Sequence, residues 1–135
     1  MLLLTIILMG CTDKDSGDLE EGNLYRGDEL VEMYNQALCR LYGDIDCALA
    51  MGSCVPVVSF ADEAACMTSQ SMSISHCSNI PGVFYEIHDT VVDCIDILNS
   101  AECTAEELCP TEEGIIRYGS CEAVADALVQ NCDVF

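Results

Sequence analysis

Apolar residues recur every three or four positions along most of the chain after about residue 28, which is the spacing of one face of an α-helix. A first helix is predicted over about residues 28–42, and Gly43 stands where that helix would end. Its apolar face consists of Leu30, Tyr34, Ala37, Leu38 and Leu41. The pattern therefore predicts that a helical domain begins at about residue 28.

A second helix is predicted after Ser59, a residue type that commonly caps helix N-termini. Asp62 and Glu63 would lie at its start, where carboxylates interact favourably with the helix dipole. The predicted apolar face consists of Phe60, Ala64 and Met67. The periodicity fades near Ser73, so the helix is expected to end there.

The most regular apolar stripe predicts a third helix, the best-defined core helix of the domain. The stripe consists of Ile87, Val91, Cys94, Ile95 and Leu98. Residues 79–82 (Asn-Ile-Pro-Gly) are typical of a turn, and residues 83–85 are expected to form a short extended segment before the helix.

Two capping signals organise the C-terminal part of the chain. Thr104 and Glu107 have the spacing of a capping box and predict a brief helical turn that ends before Pro110, and Ser120 opens a last helix. The apolar face of that helix consists of Cys121, Val124, Leu128 and Cys132. Because no useful length of chain alternates apolar and polar residues, residues 28–135 are predicted to be an all-α domain, a small bundle of about four helices.

A different pattern occupies the first eleven residues. Residues 2–9 form an almost uninterrupted apolar run, which at about 1.5 Å per residue is too short to cross a bilayer core of about 30 Å. The run ends in residues 8–11 (Leu-Met-Gly-Cys), which resemble the lipobox of bacterial lipoproteins. The resemblance implies that residues 1–10 are a signal peptide that is removed, and that Cys11 carries a covalent lipid at the mature N-terminus.

Residues 11–27 are rich in acidic residues and glycine, with almost nothing to bury. This composition predicts an acidic, disordered tether between the lipid and the domain. Asp13 and Asp15 alternate as the first ligands of a calcium-binding loop would. However, Gly17 and Asp18 stand where such a loop needs an oxygen ligand and a glycine, so calcium binding is disfavoured.

The chain contains 11 cysteines, an odd number. If Cys11 is lipidated, ten remain, and an oxidising compartment outside the cytoplasm would pair them. These ten are Cys39, Cys47, Cys54, Cys66, Cys77, Cys94, Cys103, Cys109, Cys121 and Cys132. No two are separated by only two residues, which argues against a thioredoxin-like redox pair and a zinc knuckle. Five disulfides are therefore predicted.

The pairing is not readable from the sequence, since ten cysteines allow on the order of a thousand combinations. Cysteines on the core-facing stripes of predicted helices suit links between neighbouring helices; they are Cys39, Cys66, Cys94 and Cys121. Cys121 and Cys132 would be about 16 Å apart along the last helix, too far for one disulfide. These two are expected to pair with other cysteines.

The charge excludes one large class of partners. The net charge is −20, because only Lys14, Arg26, Arg40 and Arg117 oppose 24 acidic residues. Such a chain repels the phosphate backbone, so a nucleic-acid partner is not expected. The acidic surface suits solubility of the domain, and attraction of a basic partner is the alternative.

Few side chains suggest catalysis or metal binding. His76 and His88 are the only histidines, and Asp89 beside His88 could be combined with Ser53 or Ser75 into a hydrolytic site. The chain lacks the Gly-x-Ser-x-Gly motif and the strands that carry it, so an enzyme is not expected. The two histidines are weak candidates for metal ligands, because a solvent-facing or hydrogen-bonded role is more common. No cofactor is expected beyond the covalent lipid.

The order of these features resembles a group of uncharacterised cysteine-rich lipoproteins from Gram-negative bacteria. The resemblance extends over about residues 28–135. In residues 38–47 a helix ends near a pair of cysteines, and in residues 60–66 a helix starts with acidic residues before a cysteine. The other shared features are Tyr85 before a helix and the run 92–103, which ends in a cysteine. It implies export, disulfides and a helical fold, and it implies no activity or substrate.

Two functions fit these observations. The leading hypothesis is a lipid-anchored extracytoplasmic interaction or structural module that presents an acidic face to a basic or envelope protein partner. The alternative is an envelope lipoprotein that binds a small ligand or a metal ion between its helices. Thr12, the non-acidic residue after the lipidated cysteine, implies by family resemblance a location in the outer membrane.

Overall fold

The computed structural model describes residues 24–54 and 60–132, and within these ranges the protein is helical and contains no strand. The α-helices are α1 (Gly27–Tyr42), α2 (Ile45–Met51), α3 (Glu63–Ser75), α4 (Ile80–Glu86), α5 (His88–Ser100), α6 (Ala105–Leu108) and α7 (Ser120–Asn131), and a 3-10 helix (Ile115–Arg117) precedes α7. The predicted all-α class is confirmed. The predicted signal peptide, Cys11, most of the tether and Ser59 lie outside the described residues.

The core is centred on α1 and α5, which pack against each other. In addition, α3 and α4 pack on α1, and α7 packs on α5. The side chains that fill the core are fully or almost fully buried, among them Leu30, Leu41, Phe84, Val91, Leu98 and Val124. These residues belong largely to the apolar stripes of the sequence, so the predicted helices over 28–42 and after Ile87, and the last helix after Ser120, are confirmed.

The segment predicted as a turn and an extended stretch is instead a helix, α4. Asn79 adopts a left-handed backbone conformation, and its side chain accepts a hydrogen bond from the Gly82 N–H, which caps the helix. Pro81 lies in the first turn, where a missing N–H costs no hydrogen bond. The residues that indicate a turn therefore start a helix here, and Tyr85 is helical instead of extended.

The second predicted helix is shifted. Asp62 caps α3 by accepting a hydrogen bond from the Ala65 N–H at 2.8 Å, so Asp62 is the cap where Ser59 was predicted. The helix continues to Ser75, past the predicted end at Ser73. Its predicted apolar face is also wrong, because Ala64 is exposed and Cys66 is the one buried residue of the helix.

Helix α2 has no counterpart in the sequence prediction. It has seven residues, too few to show helical periodicity, and Asp44 caps it by accepting hydrogen bonds from the N–H groups of Asp46 and Cys47. Tyr25, close to the predicted end of the tether, packs against the core, and Gly27 begins α1.

All ten cysteines outside the N-terminal segment form disulfides, with Cα–Cα distances of 4.3 to 5.7 Å. The pairs are Cys39–Cys66, Cys47–Cys103, Cys54–Cys109, Cys77–Cys132 and Cys94–Cys121. The expectation that Cys121 and Cys132 pair elsewhere is confirmed. This many disulfides are typical of a protein that folds in an oxidising compartment outside the cytoplasm.

Candidate functional site

An apolar cleft lies between α1, α3 and α7. Its volume is about 420 Å³, within the range of sites that bind small molecules. It is lined by Tyr34, Leu38 and Tyr42 of α1, by Ser69, Gln70 and Ile74 of α3, by Ala125, Leu128 and Val129 of α7, and by Phe60, Ile116 and Arg117. We refer to this site as the α1–α3–α7 cleft.

Helical spacing explains how α1 forms one wall of the cleft. Tyr34, Leu38 and Tyr42 follow each other at intervals of four residues, so they lie on one face of the helix. Tyr34 is only 4% exposed, and its ring meets Phe84 edge to face at 5.7 Å between centroids. This contact holds the tyrosine ring in place against α4.

The tyrosine hydroxyls of the cleft are neutral groups. Burial raises the pKa of Tyr34 well above its usual value, and burial likewise raises the pKa of Tyr42. Both hydroxyls therefore stay protonated at any physiological pH and can donate a hydrogen bond. Ser69 and Gln70 add two further neutral polar groups to the lining.

Arg117 is the charged residue of the lining, and acidic side chains surround it. Its Nη1 donates a hydrogen bond to Asp126 Oδ1 at 3.0 Å, and its side chain is 27% exposed. The pKa of Arg117 is raised by Asp126, with smaller contributions from Glu113 and Glu122. Three exposed carboxylates thus face one guanidinium at this end of the cleft, so the local charge is negative even beside the arginine.

His88, one of the two histidines considered as metal ligands, is used inside the fold. The ring is 5% exposed and stacks on Tyr25 with centroids 5.9 Å apart. The Tyr25 N–H donates to His88 Nε2 at 3.2 Å, so the proton of the neutral ring is on Nδ1, which faces Asp89 Oδ1 at 3.0 Å. Because both ring nitrogens have partners, His88 attaches the start of the domain to α5.

His76 lies elsewhere, exposed at the C-terminal end of α3. In the described part of the chain, neither histidine belongs to a group of three potential metal ligands. Ser75, considered as a nucleophile beside His88, donates its hydroxyl to the Met72 carbonyl oxygen. The two weak metal candidates therefore form no group of three potential ligands in the described residues, and the Ser75 hydroxyl is bonded within its own helix.

One cluster of potential ligands does occur among the described residues: Asp44, Cys47 and Cys103. The two cysteines are joined in a disulfide, so neither offers a thiolate. The Asp44 carboxylate already accepts hydrogen bonds from two N–H groups of α2. The cluster is explained by helix capping and a disulfide.

A ligand site between helices was one of the two hypotheses from the sequence, but the position of the cleft and its lining residues were not predicted. Tyr34 and Leu38 were predicted as core positions, and Tyr42 continues the same stripe by one more turn. That continuation was the available signal, because it extends the apolar face of α1 to its last turn. No sequence pattern indicated that Phe60 and Arg117 would join this face.

Comparison with known proteins finds no family model, no curated protein and no solved structure that matches the chain. Among the described helices, none combines the length and the apolar character needed to cross a membrane.

Proposed function

We propose that the protein is an extracytoplasmic binding module, attached to the bacterial envelope through a lipid on Cys11, which takes up the apolar part of a small amphiphilic molecule. The observation that carries the proposal is the α1–α3–α7 cleft, an apolar space of about 420 Å³ with a few polar groups in its lining. Disulfide pairing supports a location outside the cytoplasm. The lipobox resemblance supports the anchor.

The charges around the cleft favour a neutral or cationic head group on the ligand. The chain carries a net charge of −20, and Arg117 is already surrounded by Asp126, Glu113 and Glu122. An anionic head group would have to compete with these carboxylates for one guanidinium. A cation would be attracted by the carboxylates and could also lie against one of the aromatic rings of the lining.

Three dodecyl amphiphiles test this function: a trimethylammonium, a sulfate and an uncharged maltoside, each titrated below its critical micelle concentration. Binding is measured by isothermal titration calorimetry and by displacement of the neutral dye Nile red. We expect the cationic and neutral probes to bind, with the cation about tenfold tighter than the sulfate. If no probe binds, the proposed function is wrong; if the sulfate binds tightest, the proposed head group is wrong.

A matched pair of variants on α7 locates the binding site. Ala125 lines the cleft, whereas Ala123 on the same helix is exposed to solvent. Ala125→Phe should fill the cleft and weaken binding of the maltoside at least about tenfold. Ala123→Phe should leave binding unchanged, and equal losses in the two variants would place the ligand elsewhere.

The anchor is tested by intact mass of the protein recovered from the membrane fraction of a bacterial host that processes lipoproteins. We expect a mature chain that begins at Cys11, carries added acyl mass, and gains ten hydrogens on reduction. An unmodified chain that retains Met1 would contradict the anchor and leave the cleft proposal unaffected.

A basic protein partner is a second candidate, and α2 favours it. Ile45 and Leu49 are 75% and 71% exposed one turn apart, and Asp44 and Asp46 lie beside them. A partner that combines apolar and basic side chains would fit this surface. Capture of one envelope protein by the natural chain, lost in Ile45→Ser/Leu49→Ser and weakened by salt, would support this candidate. Capture that the variant does not change would count against it.

A further inference from the structure

The cysteines fall into two sets with the same spacing. The first set consists of Cys39, Cys66 and Cys77, with intervals of 27 and 11 residues. The second set has the same intervals and consists of their counterparts Cys94, Cys121 and Cys132. The remaining four cysteines extend the pattern, because Cys47 and Cys103 are 56 residues apart and Cys54 and Cys109 are 55 apart.

The disulfides are of two kinds: some lie within one set, and the others join equivalent cysteines of the two halves. Cys39–Cys66 lies within the first set and Cys94–Cys121 within the second, each with a separation of 27 residues. The other three disulfides each join a cysteine to its own counterpart: Cys47–Cys103, Cys54–Cys109 and Cys77–Cys132. An arbitrary pairing of ten cysteines would not produce this division.

The helices repeat in the same order. Each half contains a long helical segment, a short helix and a second long helix: α1, α2 and α3 in the first half, and α4 with α5, α6 and α7 in the second. Their packing also corresponds, because α3 packs on α1 as α7 packs on α5. The two halves meet through counterparts, α1 against α5 and α2 against α6.

A pair of glycines adds an independent indication. Gly27 and Gly82 are 55 residues apart, the same offset as most of the cysteine pairs. Gly27 lies directly against the backbone of Pro81, the residue before Gly82, and no space remains there for a Cβ atom. Arg40 and Ile95, again 55 apart, line one shallow depression between α1 and α5.

We infer that the domain consists of two copies of one three-helix module, related by a two-fold pseudo-axis and joined by three disulfides between equivalent cysteines. In a two-fold arrangement, a residue meets its own counterpart only near the axis, which is where these three disulfides lie. The inference goes beyond the proposed function and does not depend on it.

The binding cleft is then a composite site. Gln70 and Ile74 line it from the first module, and their counterparts Ala125 and Val129 line it from the second. The tyrosines of α1 contribute from the first module alone, because Asp89 and Ile97 stand at the positions in α5 that correspond to Tyr34 and Tyr42. The two modules therefore contribute different side chains to the cleft.

The two-fold relation makes a strict geometric prediction about the connection between modules. Four residues, 78–81, connect Cys77 to Gly82 in the natural chain. By symmetry, four residues should also connect Cys132 to Gly27. The surroundings fit, because the Ser78 N–H donates to the Asn131 carbonyl oxygen at 2.8 Å and Gly27 lies against Pro81.

The test is a chain in which the two modules exchange order. It contains residues 1–23, then 79–132, one inserted serine, then 24–78 and 133–135, so that the serine and residues 24–26 form the four-residue connection. A matched control carries a ten-residue Gly/Ser linker in place of the serine. Disulfides are mapped by mass spectrometry of unreduced peptides, and stability is measured by thermal unfolding.

We expect the chain with one serine to form the same five disulfides and to melt within a few degrees of the natural protein. If only the long-linker control forms these disulfides, the ends are not related as the pseudo-axis requires and the inference is wrong. If neither chain forms them, the modules are not interchangeable units and the inference is equally wrong. Ligand binding is measured separately, so failure of the cleft proposal would leave this result intact.

Discussion

Helices α3 and α5 have the same length, 13 residues, but they are held in the domain by different means. Five residues of α5 are buried, and they form a continuous stripe against α1 and α7. In α3 one residue is buried, and it is Cys66, which is bonded to Cys39. An apolar stripe therefore holds α5, whereas α3, which also packs on α1, buries only its disulfide-bonded cysteine, and the apolar cleft lies along α3.

The largest difference should appear when one large side chain is shortened in each helix. Leu98→Ala in α5 removes a fully buried side chain and should lower the free energy of unfolding by about 2–5 kcal/mol. Met67→Ala in α3 removes a half-buried side chain and should cost less than about 1 kcal/mol. Denaturant unfolding measures both values, and equal losses would show that α3 is held by packing after all.

The converse prediction concerns the disulfide that holds α3. Cys39→Ala/Cys66→Ala opens a loop with a separation of 27 residues and should cost about 2–4 kcal/mol. Hydrogen exchange should increase mainly in α3, and the cleft should bind Nile red more weakly. Cys94→Ala/Cys121→Ala is the matched control, because it removes the counterpart disulfide while the apolar stripe still holds α5. If α5 then exchanges as fast as α3 does in the first variant, the contrast between the helices fails.

The smallest effect should come from the cap of α3. Asp62 accepts a hydrogen bond from the Ala65 N–H, so Asp62→Ala should cost about 1 kcal/mol. Asp62→Asn keeps an acceptor oxygen at this position and should lose only a part of that amount. Asp96→Ala on the exposed face of α5 is the control, expected within about 0.5 kcal/mol of the natural protein. A larger loss at Asp96 than at Asp62 would contradict the assigned cap.

The same contrast explains what the sequence could predict. The stripes of α1, α5 and α7 are long enough to show helical periodicity, and they bury the residues that the periodicity indicates. Periodicity does not predict helix α3 correctly, because a single cysteine is buried and its other side chains are exposed or half-buried. Its start was misplaced by three residues for the same reason: without an apolar stripe, several polar residues are equally good caps.

The disulfides show a different limit. The number of cysteines predicted how many disulfides form, but the partners depend on how the helices pack. The repeated intervals of 27 and 11 residues were present in the sequence and indicate two equivalent sets. The cleft could not be predicted in this way, because Phe60, Arg117 and the α1 tyrosines come together only when both halves of the chain are assembled.

If a lipid on Cys11 holds the protein as proposed, the hydrogen bond from Tyr25 to His88 has a mechanical consequence. Tyr25 precedes α1 but bonds to the first residue of α5, so the chain is fastened to a second helix before α1 begins. A force applied from the N-terminal side therefore acts first on the contact between Tyr25 and His88. The force is shared between α1 and α5, which pack on each other. The first turn of α1 is thereby protected from local unfolding under force.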